Sequence, residues 1–231
     1  MAHAFRYLII VLALALASAA LSAAVPRSEP ISVRFTVFSA HPIDGLGYRS
    51  ATGATLPLKF FPASRSARSA YNGPSPLNFV DAASGAVVAE AEVPAAIREP
   101  LLLFTTLPAP DARGLRYQVA VIDDSVTKLP PGHLAVVNLS GLKLTGTMDK
   151  TTLTLDAGLN APVPFAAGAS LRLYAMSRGT RVQSFSDTLK TARSARLLIL
   201  LLPPARKGAL EVQSRALSDE PQPAVPVSGI K

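Results

Sequence analysis

The 231-residue chain is 49% hydrophobic and 16% charged, with 20 prolines, no cysteine and no tryptophan. Disorder requires few apolar residues and dense charge, so a folded core is expected. A chain without cysteine has no disulfide, thiolate metal site or thiol nucleophile, and its excess of 23 Lys and Arg over 15 Asp and Glu is one-sided: residues 25–125 carry nine of each sign, 126–231 thirteen bases and six acids.

Near the start, Arg6 precedes an apolar run from Leu8 to Ala20, followed by small residues at Ser22 and Ala24. That order predicts a secretory signal peptide over residues 1–24, cleaved before Val25. The run is shorter than the roughly 20 residues that cross a bilayer. The mature chain is therefore expected to have no membrane span and to be exported, periplasmic or extracellular.

Beyond the signal, short apolar runs recur every 8 to 15 residues between Gly, Pro, Ser, Asn and Asp, without helical periodicity. This is an all-β pattern. Strands are predicted at 31–39, 56–61, 77–80, 86–93, 101–106 and 115–122, and then at 134–139, 143–145, 152–155, 170–176, 181–185, 197–202 and 210–216. Leu115, Tyr117, Val119 and Val121 alternate with Arg116, Gln118 and Ala120, which places one face on a core and one in water. Leu101–Phe104 and Leu197–Leu202 do not alternate, so both are expected to be central strands covered on both faces.

The two strand sets align without a gap at an offset of 95, residues 58–125 on 153–220. In this frame Leu102 and Leu103 fall on Leu197 and Leu198, and Phe79 on Tyr174. The segment Ser125–Gly132, with Pro130-Pro131-Gly132, interrupts regular structure. The predicted organisation is a signal peptide at 1–24, a β-sandwich at 25–125, a linker at 126–132, a second β-sandwich at 133–217 and a disordered proline-rich tail at 218–231. One larger sandwich built from both halves is the alternative arrangement.

On its signal peptide, 95-residue repeat and strand rhythm, the chain resembles exported bacterial proteins made of duplicated immunoglobulin-like β domains. The resemblance implies two tandem immunoglobulin-like β-sandwiches and brings no catalytic residue with it. The Cys pair and Trp of antibody domains are absent.

Candidate chemistry is sparse. Ser39, His41 and Asp44 lie too close in sequence for a catalytic relay, and Asp44-Gly45 reads as a turn. Glu90 and Glu92 share one face of a strand, where they read as solvated. Asp123-Asp124 and Asp219-Glu220 are oxygen donors at strand ends without a D-x-D-x-D-G loop, and Asn138-Leu139-Ser140 matches a glycosylation acceptor at the end of an apolar strand. No metal or cofactor is called for. The basic excess points to an anionic partner, with Arg193, Arg196, Arg206 and Lys207, which flank the 197–202 run, as the candidate anion-binding residues. Arg172, Arg178, Arg181, Lys190 and Arg215 belong to the same excess. Nucleic acid is not expected, because export removes the chain from most of it. The expected function is that of an exported, non-enzymatic module that binds a protein or an envelope polymer. The alternatives are an accessory protein holding anionic envelope polymer through its basic second domain, and a hydrolase with carboxylates between the domains.

Overall fold

The structure is a computed structural model that describes residues 30–61, 64–190 and 195–219. The predicted signal peptide and residues 220–231 of the predicted tail lie outside the described residues. Among the described residues the chain is all β, with seventeen strands. The first half holds β1 (Pro30–Ser39), β2 (Leu46–Arg49), β3 (Thr55–Pro57), β4 (Ser69–Pro74), β5 (Leu77–Asp81), β6 (Val87–Ala91), β7 (Pro100–Thr106) and β8 (Tyr117–Asp123). The second holds β9 (His133–Asn138), β10 (Leu144–Met148), β11 (Thr151–Leu155), β12 (Gly158–Leu159), β13 (Val163–Pro164), β14 (Ser170–Ser177), β15 (Thr180–Thr188), β16 (Arg196–Leu202) and β17 (Gln213–Asp219).

Each half is a sandwich. Sheet β4-β1-β7-β8 packs on β3-β2-β5-β6, and sheet β12-β9-β16-β17, with β13 also on β9, packs on β11-β10-β14-β15. The pairings correspond strand for strand. β7 lies between parallel β1 and antiparallel β8, as β16 lies between parallel β9 and antiparallel β17. A bulge recurs as well: Val88 is the extra residue opposite the Phe79/Val80 step, and Ser184 the extra residue opposite Leu173/Tyr174. In both halves the carbonyl of that unpaired residue accepts a hydrogen bond from just before the last strand, Arg116 N–H at 2.8 Å and Val212 N–H at 3.0 Å. A bulge frees a backbone group from its own ladder, and here the freed group stitches one sheet to the other.

All thirteen predicted strands occur, with shifted ends, and four more were not foreseen: β2, β4, β12 and β13. β4 reads SAYNGP, a turn composition, and Pro74 is tolerated because β4 is an edge strand. The last strand runs to Asp219, so residues 218 and 219 belong to the sheet and not to the predicted tail.

The ungapped 95-residue frame describes β7 and β16 correctly. Leu102 and Leu197 enter their own sandwich cores, while Leu103 and Leu198 face away. It fails at β5 and β14, because Phe79 is core whereas Tyr174 lies outside it. The bulge places Phe79 with Leu173 instead, since side chains alternate between faces and an odd slip exchanges inside for outside.

The non-alternating strands are covered on their second face by each other's domain. Phe38, Leu101, Leu103 and Ile122 of the first sandwich pack with Ala135, Val137, Leu198, Leu200 and Leu217 of the second. The molecule therefore has four sheet layers with a third apolar core between the sandwiches. Each leucine fully buried there contributes about 1.5–3 kcal/mol. The connection belongs to the same core: Leu129 is buried in it, and Gly132 N–H donates to the Ala195 carbonyl at 2.9 Å. The segment predicted as a linker is thus pinned to both halves.

Candidate functional site

The apolar joint between the sandwiches encloses one buried charged group of side chains. Asp124, which follows β8, receives two hydrogen bonds from Arg65, Nε to Oδ2 at 2.8 Å and Nη2 to Oδ1 at 2.9 Å. Arg65 Nη1 also donates to the carbonyl of Leu217 in the other sandwich at 3.1 Å. Arg196, the first residue of β16, donates to the Asp124 carbonyl at 2.9 Å and sets Nη2 3.5 Å from Oδ1. All three side chains are buried, at 7% exposure or less. Burying ions is costly unless each is paired and hydrogen-bonded, and here one carboxylate holds two guanidinium groups from opposite domains.

This geometry reassigns part of the predicted anion-binding set. Arg193 lies outside the described residues. Arg196 is buried and engaged with Asp124, so it presents no charge to a ligand. Arg206 and Lys207 are exposed in the β16–β17 connection, at the far end of a seven-residue strand from Arg196, about 20 Å away at ~3.3 Å per residue. Arg196, Arg206 and Lys207 therefore do not make one patch.

Four of the other candidates resolve into structural roles, and Glu220 lies outside the described residues. Ser39 is buried and its Oγ accepts from His41 N–H at 3.3 Å, a local turn contact. Glu90 is ion-paired with Arg113. Asp123 Oδ1 accepts from Ser125 N–H at 3.1 Å. Asn138 is buried, its Oδ1 accepting from the Ser140 hydroxyl and its amide donating to Leu142 O, so it braces a loop and is not presented for modification. Among the described residues no three His, Asp or Glu side chains converge on a point. A cleft of about 310 Å³ opens at the joint, lined by Ile122, Leu129, Leu159, Pro162 and Leu198 with Asp123 and Lys128 at its polar side. The Asp124 that also borders it is already bound by two arginines.

Part of the charge excess lies on the face of sheet β11-β10-β14-β15 that points away from its core. Leu171, Leu173 and Ala175 of β14 are core, so Arg172, Tyr174 and Met176 project outward. The ladder aligns two complete rows across four strands: Thr152, Thr147, Arg172 and Ser186, then Thr154, Thr145, Tyr174 and Gln183. Beyond them Met176 stands opposite Arg181 and Ser170 opposite Thr188. No carboxylate occurs in these rows. The Arg181 guanidinium lies over the Tyr174 ring, 3.9 Å from its centre, a cation–π contact that holds the charge flat against the sheet. Arg178, in the tight turn joining β14 and β15, has φ of 48°, a left-handed conformation that costs a non-glycine residue roughly 1–2 kcal/mol. None of Arg172, Arg178 and Arg181 makes an ion pair among the described residues.

Sequence reasoning placed these three in the basic excess but selected the cations flanking the most apolar strand instead. The alternation of Leu171, Leu173 and Ala175 with Arg172, Tyr174 and Met176 was the available signal. It marks a face with cations outward, whereas the 197–202 run has no outward face.

The chain matches no model of a known protein family, and no curated protein is significantly similar to it. Among the described residues no helix is long and apolar enough to cross a membrane.

Proposed function

We propose that this chain is an exported, non-enzymatic protein whose two immunoglobulin-like sandwiches, copies of one ancestral domain, form a single rigid body that binds a partner in the cell envelope or outside the cell. The duplication is supported by the shared bulge and its interdomain-independent hydrogen bond, Val88 to Arg116 in one half and Ser184 to Val212 in the other, each pair separated by 96 positions from its counterpart. Export is supported by the residue order of 1–24. The observation that carries the binding role is the division of charge. Four carboxylates of the first half, Asp81, Glu90, Glu99 and Asp124, are paired with arginines, while the second half turns cations without an ion pair to solvent from one sheet face. Against the hydrolase alternative, the buried interdomain Asp124 carboxylate is ion-paired with both Arg65 and Arg196.

The test is incubation of the mature chain with insoluble bacterial envelope, followed by sedimentation and analysis of the supernatant. Bound protein without released fragments is expected. Soluble fragments would establish a hydrolase, and failure to sediment would remove the binding role. Intact-mass measurement of the secreted species should show a chain beginning at Val25; a membrane-bound species retaining Met1–Ala24 would overturn the export reading.

A further inference from the structure

We propose that the outward face of sheet β11-β10-β14-β15 is the binding surface, and that its ligand is an extended anionic polysaccharide. This inference rests on the binding role proposed above and specifies its site and ligand class. Arg172 and Arg181 stand on the same face, four positions of β14 apart through the Met176–Arg181 and Arg172–Ser186 pairs, so their backbones are about 13 Å apart at ~3.3 Å per residue. The Arg181 guanidinium leans back over Tyr174, so the two charges follow one another along β14 about two positions apart, an arrangement that suits successive charges of a chain. Beside the cations, on the side of β14 away from Arg181, lie four threonine hydroxyls of β10 and β11, each both donor and acceptor, which match the hydroxyls of a sugar ring. The face is four strands wide, and no carboxylate occurs in its aligned rows.

The same features disfavour other anionic partners. A lipid surface would be met by cations mixed with apolar side chains, and here Met176 is the one large apolar group on the face, 62% exposed. Single-stranded nucleic acid requires open aromatic platforms, whereas the Tyr174 ring is covered by Arg181.

The experiment measures binding of the mature chain to immobilised polygalacturonate at low salt, with neutral dextran, phosphatidylglycerol vesicles and poly(dT) as further probes. Polygalacturonate is expected to bind, neutral dextran not to, and affinity should fall steeply as salt is raised from about 0.05 to 0.5 M. The double variant Arg172→Gln/Arg181→Gln should lose about tenfold or more, as two charge-assisted contacts disappear. Arg206→Gln/Lys207→Gln should stay within about twofold of the parent, since those cations lie on the other sheet. Thr152→Glu places an acid on the face without touching the arginine–tyrosine stack, and should weaken binding alone. Melting curves of all variants should match the parent, because every altered side chain is exposed. Equal affinity of the Arg172/Arg181 variant, or vesicles or poly(dT) binding as tightly as polygalacturonate, would overturn the assignment. If that variant still sediments with envelope, the site is wrong and the general binding role survives. If the parent does not sediment either, the general role falls as well.

Discussion

At one position of one shared topology, the first sandwich carries Asn78 opposite Glu90 and the second carries Arg172 opposite Ser186. The surroundings diverge in the same sense. Every ion pair among the described residues takes its acid from Asp81, Glu90, Glu99 or Asp124, all in the first half or at its end. In the second half the exposed arginines of β14 and β15 make no ion pair among the described residues. The two halves thus share one strand plan, while the ion pairs draw their acids from the first. The strands, bulge and sheet seam obey burial and hydrogen bonding, which both halves share. The outward residues obey neither and are free to specialise.

The joint is where the comparison is most easily broken. Asp124→Ala leaves the guanidinium groups of Arg65 and Arg196 buried without a counter-charge. Removing one partner of a buried pair costs about 3–5 kcal/mol. The exposed counterpart, Glu90→Ala, removes the Arg113 pair at a cost of at most about 1 kcal/mol. Thermal unfolding of both variants measures the contrast. If Asp124→Ala melted like Glu90→Ala, the three-residue group would not be what locks the sandwiches. Separate melting transitions in Asp124→Ala alone would show that the lock makes the two halves one cooperative unit.

A second contrast lies inside the cores. Tyr48 of β2 stands opposite Phe79 and packs edge-on against Phe35, with ring centres 5.1 Å apart. The second sandwich places Gly146 opposite Leu173, and a Cβ on Gly146 would collide with the Arg172 carbonyl oxygen. One domain fills this space with a ring, the other by bringing β14 closer. Gly146→Ala must push β14 away, and overpacking of this kind costs about 1–3 kcal/mol. Because the displaced residue is Arg172, polygalacturonate binding should weaken along with stability. An unchanged melting temperature would show that the close approach is not required.

Most of the architecture was legible in the sequence because strand burial leaves a period-two signature. Leu115–Val121 showed it plainly, and its interruption at Leu101–Phe104 and Leu197–Leu202 announced cover on both faces. What covered them was not legible: the partner of each strand is the other strand's outer face, and a contact between distant segments leaves no local pattern. β4 was hidden because Asn72, Gly73 and Pro74 are turn residues that an edge strand tolerates. The candidate site was half visible. Charge counts pointed to the second half, where Arg172, Arg178 and Arg181 stand without an ion pair among the described residues, but proximity to an apolar run drew attention to Arg196, whose position at the start of a doubly buried strand puts it under cover.

The smallest effect separates the two equivalent hairpins. Where β5 turns into β6, the Asp81 carboxylate accepts the Ser84 backbone N–H at 3.0 Å, Arg116 Nη2 at 2.6 Å, the Ser84 hydroxyl at 3.0 Å and the Ala83 N–H at 3.1 Å. These contacts, the Ser84 backbone N–H foremost and then Arg116, hold its carboxyl down from the ordinary 3.8 to about 2. The matching turn between β14 and β15 is Arg178-Gly179, with no carboxylate to titrate. A carboxyl whose pKa is lowered by folding stabilises the folded state fully above its unfolded value, and that contribution is lost as pH falls through the folded one. The contribution of Asp81 should therefore be constant above about pH 4 and vanish towards pH 2. Asp81→Asn keeps the side chain's size and removes the titration. Its melting temperature should lie slightly below the parent's at pH 5, and the gap should close by pH 2. A gap that persisted at pH 2 would mean that the turn is held by shape and not by the carboxylate's charge.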